Sequence, residues 1–323
     1  MFFVLFMIVP ALLVMLALVT QVGTVALGWI YPPQGKFVDV PGARLHVIDI
    51  GPSAPGELPI VMIAGANSSL ATIRKPLGDM LAAKHRVILV DRPGQGWSTR
   101  ERLEDSTPAI QARMIDQALG KLGIARAIFV GHSWAGAVLP AIALENPQRV
   151  AGLIMISPVT HPWRGEIGTL TDVATMPVIG SLMAHTVIMP TGFFLLDSGM
   201  RFVFYPQSPP NNFTLGTQAP LILRPDVFLN NAWDLKTLKA SMVKQSPNYP
   251  KIIAPVVVVA GDADLVVSAE VHARAFAKAV PHAKLIILPG VGHMPQVTNS
   301  KLIFDEIEGM FTRSRSSAAA AAN

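Results

Sequence analysis

The chain has 323 residues, of which 51% are hydrophobic and 15% are charged, and its net charge at pH 7 is +5. It contains no cysteine, which excludes disulfide bonds and metal sites built from thiolates. The positive excess is modest and no dense cluster of Lys or Arg is present, so a nucleic-acid partner is not expected.

The N-terminal segment is strongly apolar. Residues 2–20 are almost wholly hydrophobic, and the first charged side chain is Lys36. About 20 apolar residues are enough for a helix to cross the hydrocarbon of a bilayer. Trp29 and Tyr31 follow, where amphipathic aromatics favour the membrane interface. Residues 1–34 are therefore predicted to form a single-pass membrane anchor, with the lipid membrane as its partner.

A cleaved signal peptide is the alternative interpretation of this segment. It would carry positive charge ahead of a shorter apolar core, but no Lys or Arg precedes this one. Lys36 and Arg44 follow the core and weakly favour a cytoplasmic body. Large domains cross membranes regardless of loop charge, so the side that the body faces stays open.

After the anchor, apolar runs alternate with helical stretches. The segments on either side of Pro41 and Gly42 predict a hairpin. Near-continuous apolar runs are typical of strands buried on both faces of a parallel sheet. The alternation predicts an α/β fold with a mostly parallel sheet flanked by helices. The predicted strands are 59–65, 85–91, 125–131, 150–158, 254–261 and 283–290, and the predicted helices are 71–84, 108–123, 134–146, 268–279 and 299–312.

One long interval breaks this rhythm. Residues 159–250 separate two predicted strands, and a structureless loop of that length is unusual in a compact domain. Apolar faces within 170–189, 192–204 and 219–245 indicate helices, so the interval is predicted to be a helical cap inserted into the fold. The core then comprises 35–158 and 251–313, and the low-complexity tail 314–323 is expected to be disordered.

A short motif, "GHSWAG", follows the predicted strand 125–131 and opens a helix. A nucleophile elbow has this arrangement, with a serine on a tight turn between strand and helix. The residues two before and two after the serine must be small, and Gly131 and Ala135 meet that requirement. Ser133 is therefore the candidate nucleophile, and Trp134 would offer its backbone N–H to an oxyanion.

The other members of a catalytic triad follow later strands. Asp262 and Asp264 come after the strand 254–261, and His293 comes after the strand 283–290. Carboxyl ends of parallel strands share one edge, where ligands bind in open α/β sheets. His293 is the predicted base and an aspartate would orient it. Spacing alone leaves Asp262 and Asp264 as alternatives.

Several further residues have weaker assignments. The loop after the strand 59–65 would supply a second oxyanion donor through the N–H of Ala66, and Asn67 either contacts substrate or caps the next helix. His161 and Trp163 are candidate substrate contacts. Met176, Met183, Met189, Phe193 and Phe194 would line an apolar pocket with Trp163 or simply pack the cap. His132 is expected to be a packing residue, and His272 and His282 are expected at the surface.

Residues 36–313 resemble the α/β-hydrolase superfamily in the elbow "GHSWAG", the loop "DRPGQGWS", the acid motif "GDAD" and "GVGHMP". The resemblance implies that the acid is Asp264 and that Asp91 and Arg92 are structural. The layout is also similar to membrane-anchored bacterial hydrolases of unassigned substrate. Many relatives have histidine where this chain has Ala64, which implies a differently shaped oxyanion loop.

The combined expectation is a serine hydrolase that acts on carboxylic esters or related acyl compounds, with a small apolar or lipid-like acyl molecule as substrate. No cofactor and no metal ion are expected. Carbon–carbon hydrolysis, thioester hydrolysis or cofactor-free peroxidase chemistry on the same triad is the alternative within the fold. A binding module without catalysis is the alternative of another class.

Overall fold

The structure is a computed structural model that describes residues 2–53, 56–165 and 167–322. One sheet runs through it, and each predicted strand is present. The strands are β1 (Lys36–Val40), β2 (Ala43–Ile50), β3 (Ile60–Ile63), β4 (Val87–Val90), β5 (Thr99–Arg100), β6 (Ala127–His132), β7 (Val150–Ile156), β8 (Val256–Gly261) and β9 (Lys284–Leu288). Only the two-residue β5 has no counterpart in the sequence prediction.

The helices flank this sheet, and a group of them lies between β7 and β8 in the chain. The α-helices are α1 (Phe2–Ile30), α2 (Leu70–Ile73), α3 (Asp79–Ala82), α4 (Pro108–Lys121), α5 (Ala135–Glu145), α6 (Thr169–Ala174), α7 (Ile179–Thr186), α8 (Ile188–Phe204), α9 (Phe213–Gly216), α10 (Pro225–Gln245), α11 (Ala275–Ala279), α12 (Pro295–Thr298) and α13 (Ser300–Ala322). Short 3₁₀ and π segments are Arg74–Gly78, Pro147–Arg149, Ala219–Leu223, Ser246–Lys251 and Glu270–Arg274.

The sheet has the strand order β1-β2-β4-β3-β6-β7-β8-β9, with β5 paired to β2. Neighbouring strands among β4, β3, β6, β7, β8 and β9 pair in parallel. Every pair that includes β1, β2 or β5 is antiparallel. The central strands β3, β4, β6 and β7 are buried along their whole length, as the apolar runs predicted. The predicted fold class, a mostly parallel sheet flanked by helices, is confirmed.

The carboxyl ends of β6, β8 and β9 are followed by the elbow, the acid motif and the histidine loop. Because these three strands run parallel in one sheet, their ends lie at the same edge. Helices α6 to α10 lie in the predicted cap 159–250, and α8 and α10 supply part of the wall above this edge. This arrangement brings three residues that are far apart in sequence into one site.

The N-terminal helix α1 is a candidate membrane span. Its segment Met7–Ile30 is the only single helix in the described chain that is long and apolar enough to cross a bilayer, and a signal sequence would pass the same test. Its C-terminal part packs on the cap, where Leu27 is buried against Met189 and Leu221. Thr20 also donates a hydrogen bond to the carbonyl of Thr186, 3.2 Å away.

Two local differences from the sequence prediction concern helices. The predicted helix 71–84 is interrupted by a π segment that holds Pro76, since proline lacks the N–H that an α-helix needs. At the C-terminus, where the tail 314–323 was expected to be disordered, the backbone of α13 continues to Ala322. Residues 318–322 are alanine, which has the highest helix propensity of all residues.

Candidate active site

Ser133 lies on a sharp turn between β6 and α5. Its φ angle is +55°, a left-handed conformation that is uncommon for a residue with a side chain. The turn is held by hydrogen bonds from the Ser133 N–H to the carbonyl of Ile156 and from Gly136 to the carbonyl of Ser133. Backbone strain maintained by surrounding structure is typical of functional positions. The elbow geometry predicted from the motif is therefore present.

Close packing explains the small residues around this serine. A Cβ atom added to Gly131 would lie 3.2 Å from the Cβ of Ala135 and 2.7 Å from a methyl group of Leu139. A Cβ atom added to Gly65 would lie 2.8 Å from the Cβ of Ser133. Alanine therefore fits at position 135 while glycine is required opposite it. The departure from the usual glycine at position 135 leaves the elbow intact.

His293 and Asp264 form a buried pair beside the elbow. Nδ1 of His293 lies 2.7 Å from Oδ2 of Asp264, and the second carboxylate oxygen accepts the backbone N–H groups of Val266 and Val267 at 2.8 and 2.9 Å. Burial raises the pKa of Asp264, but the hydrogen bonds and charge of His293 and these N–H groups outweigh it and lower that pKa. An ionised Asp264 holds the proton on Nδ1 and leaves Nε2 available as a base.

Asp262 has a different place. Its Oδ1 accepts the N–H of Gly290, and it does not contact the imidazole of His293 within the described residues. Asp264 is therefore the aspartate paired with His293. The Ser133 hydroxyl makes no hydrogen bond to His293 in the described chain, as is common in active sites without bound substrate.

His132, predicted to be a packing residue, is buried against the histidine loop. Its ring centroid lies 4.7 Å from that of His293, and its Nε2–H donates to the carbonyl of His293 at 2.9 Å. Burial, with a smaller contribution from His293, lowers the pKa of His132 to about 3. His132 is therefore neutral at physiological pH and fixes the backbone of the neighbouring catalytic candidate.

A cavity of about 1020 Å³ opens above these residues. Ser133, Asp264 and His293 all line it, together with Ala66 and Trp134. Most of the remaining wall is apolar and comes from both the core and the cap. Its apolar residues include Val159, Trp163, Met200, Val203, Leu235, Leu238, Leu265 and Met294.

Two backbone N–H groups in this cavity suit an oxyanion. Those of Ala66 and Trp134 have no hydrogen-bond partner among the described residues. The next N–H, that of Asn67, is already used, since it donates to Oδ1 of Asn231 at 2.8 Å. Asn231 lies on the cap helix α10, and no sequence signal had pointed to it. It fixes the loop that carries Ala66.

A buried ion-pair network supports the same loop. Arg92 donates to the carbonyls of Ala64 and Gly65 at 3.2 and 2.9 Å, and its guanidinium lies 4.1 Å from the ring of Trp134. It also pairs with Asp234 of α10 at 2.7 Å. Arg92 thus has the structural role that the resemblance implied. It contacts both segments that carry the candidate oxyanion donors, the loop of Ala66 and the elbow at Trp134.

Asp234 pairs with a second arginine. Arg100 donates to its other oxygen at 2.6 Å, and the side chain of Asp234 is fully buried between the two guanidinium groups. Its backbone carbonyl accepts the indole N–H of Trp134 at 3.2 Å. One cap residue therefore contacts the core and the elbow directly, and reaches the loop of Ala66 through Arg92.

The three predicted substrate contacts have different outcomes in the structure. Asn67 and Trp163 line the cavity. His161 is not one of the residues that form the described wall of the cavity. The imidazole of His161 instead packs edge-on against Tyr249 and hydrogen-bonds with the hydroxyl of Thr160. Only Asn67 and Trp163 therefore stay in position to touch a substrate.

The expectation that His272 lies at the surface was wrong. Its side chain is buried, lines the cavity and accepts the N–H of Thr160 at 3.3 Å. Burial lowers its pKa to about 4, so it too is neutral at physiological pH. His272 lies in the π segment Glu270–Arg274, and the sequence pattern did not indicate which side of that segment faces the core. His282 is exposed, as expected.

The cap residues expected to form an apolar pocket are mostly elsewhere. Trp163 lines the cavity, but Phe193 and Phe194 are 46% and 87% exposed. Met176 is also exposed, and Met189 packs on α1. The alternative, in which these residues only pack the cap, holds for Met189. Phe193 and Phe194 neither line the cavity nor are buried in the packing of the cap.

Comparison with known proteins establishes the family. A family model described as the alpha/beta hydrolase fold matches residues 59–300, which is most of the chain. The protein belongs to the α/β-hydrolase fold family, and its named relatives are hydrolytic enzymes. The resemblance drawn from the motifs is thereby confirmed, and a hydrolase role is supported.

The relatives include hydrolases named for 2-hydroxy-6-oxo acids. The chain is 27% identical over 262 residues to a 2-hydroxy-6-oxononadienedioate/2-hydroxy-6-oxononatrienedioate hydrolase of Cupriavidus pinatubonensis, covering 80% of this chain and 87% of the relative. It is 26% identical to a 2-hydroxy-6-oxo-6-phenylhexa-2,4-dienoate hydrolase of Burkholderia cepacia, covering 78% and 86%. The enol-lactonase structure from Burkholderia xenovorans LB400 is similar in fold, with a TM-score of 0.71 at 19% identity and coverage of 86% and 100%.

The buried network yields a stability prediction. Asp234→Asn removes the only carboxylate that pairs with Arg92 and Arg100 among the described residues, and leaves two buried cations without a counter-charge. We expect a loss of about 3–5 kcal/mol in the free energy of unfolding, measured by denaturant titration with tryptophan fluorescence.

The matched control for this variant is Asp172→Asn, which breaks an ion pair with Lys236 whose side chains are about half exposed. Exposed pairs of this kind contribute about 0–1 kcal/mol. Equal small losses in both variants would contradict a stabilising role for the buried network.

Proposed function

We propose that the protein is a membrane-anchored serine hydrolase that cleaves carboxylic esters or related acyl compounds with an apolar acyl group. The observation that carries the proposal is the buried Asp264–His293 pair in the cavity that the strained Ser133 also lines. A paired histidine with an open Nε2 next to a nucleophile elbow is the arrangement that activates a serine hydroxyl.

The reaction would begin with attack of Ser133 Oγ on the carbonyl carbon of the substrate. Nε2 of His293 takes the hydroxyl proton, and Asp264 stabilises the resulting imidazolium. The negative oxygen of the tetrahedral intermediate accepts the N–H groups of Ala66 and Trp134. Collapse of the intermediate breaks the ester C–O bond, and His293 returns the proton to the departing alcohol.

The second half of the reaction would release the acyl group. A water molecule gives its proton to Nε2 of His293 and attacks the ester on Ser133. The same two N–H groups hold the second oxyanion, and its collapse yields a carboxylic acid and the free serine. Because the proton returns to Ser133 Oγ, the enzyme is unchanged after each turnover.

The charges around the cavity favour an uncharged acyl substrate. Asp264 is paired with His293, and the only other charged residue in the described wall is the solvent-exposed Arg164. His132 and His272 are neutral, because burial lowers their pKa to about 3 and about 4. An apolar acyl chain would be buried among the aliphatic side chains of the wall.

A carbon–carbon bond hydrolase is the second candidate function. It is favoured by the similarity to two dienoate hydrolases over about four fifths of the chain. The names of those relatives describe organic acids, and the first is a dicarboxylate. The only Lys or Arg of the described wall is the solvent-exposed Arg164, so burial of a second carboxylate deep in this cavity is unfavourable.

The predicted nucleophile can be tested by covalent labelling with a fluorophosphonate. We expect stoichiometric labelling of the intact chain, no labelling of Ser133→Ala, and labelling slowed by about 10³–10⁴-fold in Asp264→Asn, because the base loses its orientation. Ser241→Ala, which removes a hydroxyl outside the cavity, should label like the parent protein. Labelling that survives Ser133→Ala would contradict the assignment.

The two candidate functions are separated by a direct substrate comparison. We expect kcat/KM for a medium-chain aryl ester to exceed that for a 2-hydroxy-6-oxo-dienedioate by about 100-fold or more, because the dianion must leave water with only the solvent-exposed Arg164 as a cationic side chain in the described wall. Both rates are followed spectrophotometrically on the same preparation. A reversed preference would favour the carbon–carbon hydrolase.

A further inference from the structure

A second apolar surface lies beside α1, on the cap helices α7 and α8. Large hydrophobic side chains point outward along both helices instead of into the cavity. Phe194 is 87% exposed, which is extreme for an aromatic residue in a folded domain. The other exposed members are Ile179, Leu182, Phe193, Leu195 and Phe202.

This surface is also free of charge over a long stretch. Residues 173–196 contain no Asp, Glu, Lys or Arg. The helix pair Ile179–Thr186 and Ile188–Phe204 is together as apolar as a membrane span, but it is bent by 69° at the junction between the two helices. A helix pair bent in this way is compatible with lying in one leaflet.

Two polar side chains of this surface hydrogen-bond to nearby backbone carbonyls. The hydroxyl of Thr191 donates to the carbonyl of Val187 at 2.7 Å, and Nδ1 of His185 hydrogen-bonds with the carbonyl of Ser181 at 2.8 Å. In hydrocarbon every polar group must find a partner within the protein. The hydroxyl of Thr191 and Nδ1 of His185 meet that condition without water.

The contact with α1 sets the depth of this surface. Thr20 of α1 lies nine residues before Trp29, which is 82% exposed at the end of the helix. At 1.5 Å per residue, Thr20 lies about 14 Å along the axis from Trp29. Thr20 donates to the carbonyl of Thr186 at the end of α7. If Trp29 lies at the interface, this end of α7 lies at the depth of acyl chains.

Helices α1 and α8 approach each other too closely for a lipid to separate them. A Cβ atom on Gly23 of α1 would lie 2.4 Å from the sulfur of Met189, and Leu27 is buried in the same contact. Small residues that let helices pack closely are typical of contacts within a bilayer. The exposed face of α7 and α8 is therefore continuous with the exposed face of the candidate anchor.

We propose that α7 and α8 insert into the hydrocarbon of one phospholipid leaflet beside α1, so that the cap is a second membrane-contacting element. The proposal builds on the anchor included in the proposed function. Asp197 and Arg201 on α8 are exposed and would mark the depth at which the helix returns to the headgroups. Met200 and Val203 of α8 line the cavity, so one helix separates the active site from the leaflet.

Site-directed fluorescence on the full-length chain tests the insertion. Because the protein has no cysteine, Phe194→Cys gives a single attachment site for a nitrobenzoxadiazole fluorophore. The labelled protein is reconstituted into phosphatidylcholine–phosphatidylglycerol vesicles. We expect a blue-shifted emission that is quenched by lipids with a doxyl group on the acyl chain and is protected from aqueous iodide.

Two matched sites calibrate this result. Ile253→Cys lies on the core and replaces a residue that is 76% exposed, so its fluorophore should be quenched by iodide and not by doxyl lipids. Leu18→Cys replaces an exposed residue of α1 and reports the anchor alone. Its fluorophore should be quenched by doxyl lipids.

The outcomes separate the insertion from the anchor and from catalysis. Iodide quenching at position 194 with lipid quenching at position 18 would overturn insertion of the cap while keeping the anchor. Protection of position 194 from both quenchers would indicate a protein contact and would also overturn it. Absence of lipid quenching at both positions would refute anchor and insertion together. None of these readings depends on hydrolysis, so failure of the labelling test at Ser133 would be seen separately.

Discussion

The buried ion pair between Arg92 and Asp234 is the interaction on which the rest of the site depends. Arg92 follows a core strand and holds the two carbonyls that precede Ala66, while its guanidinium packs on Trp134. Asp234 comes from the cap and is fully buried between two arginines. Buried charges are tolerated only when they are well paired, so the cap cannot leave this position without exposing uncompensated charge. The cap in this way supports the candidate oxyanion site and is more than a cover over it.

The candidate triad residues depend on the sheet for their positions. Ser133, Asp264 and His293 follow three different parallel strands, so their relative placement is set by backbone hydrogen bonds between those strands and by the short loops after them. Because each position is set by local structure, these three candidates could be chosen from the sequence. Each lies in a local motif directly after a strand, and the apolar runs that form the strands are readable without knowledge of long-range contacts.

The contacts that sequence analysis missed join residues far apart in the chain. Arg92 and Asp234 are separated by 142 positions, and Asn231 reaches the oxyanion loop over 164 positions. His272 looked like a surface residue because its segment is short and irregular. For Phe194 the pattern correctly indicated an apolar helix, but a periodic apolar face does not reveal whether it meets a cavity, the core or lipid. These outcomes depend on tertiary packing, which no local pattern records.

The central claim is that Ser133 forms a covalent acyl intermediate. Phenol release, together with mass spectrometry of the protein and its peptides after rapid acid quench, tests it most directly. With an aryl ester in excess, we expect a burst of phenol close to one equivalent of enzyme, and a mass increase equal to the acyl group on the peptide that contains Ser133. Hydrolysis that proceeds with no burst and no acylated peptide, or with the acyl group on another residue, would contradict the account.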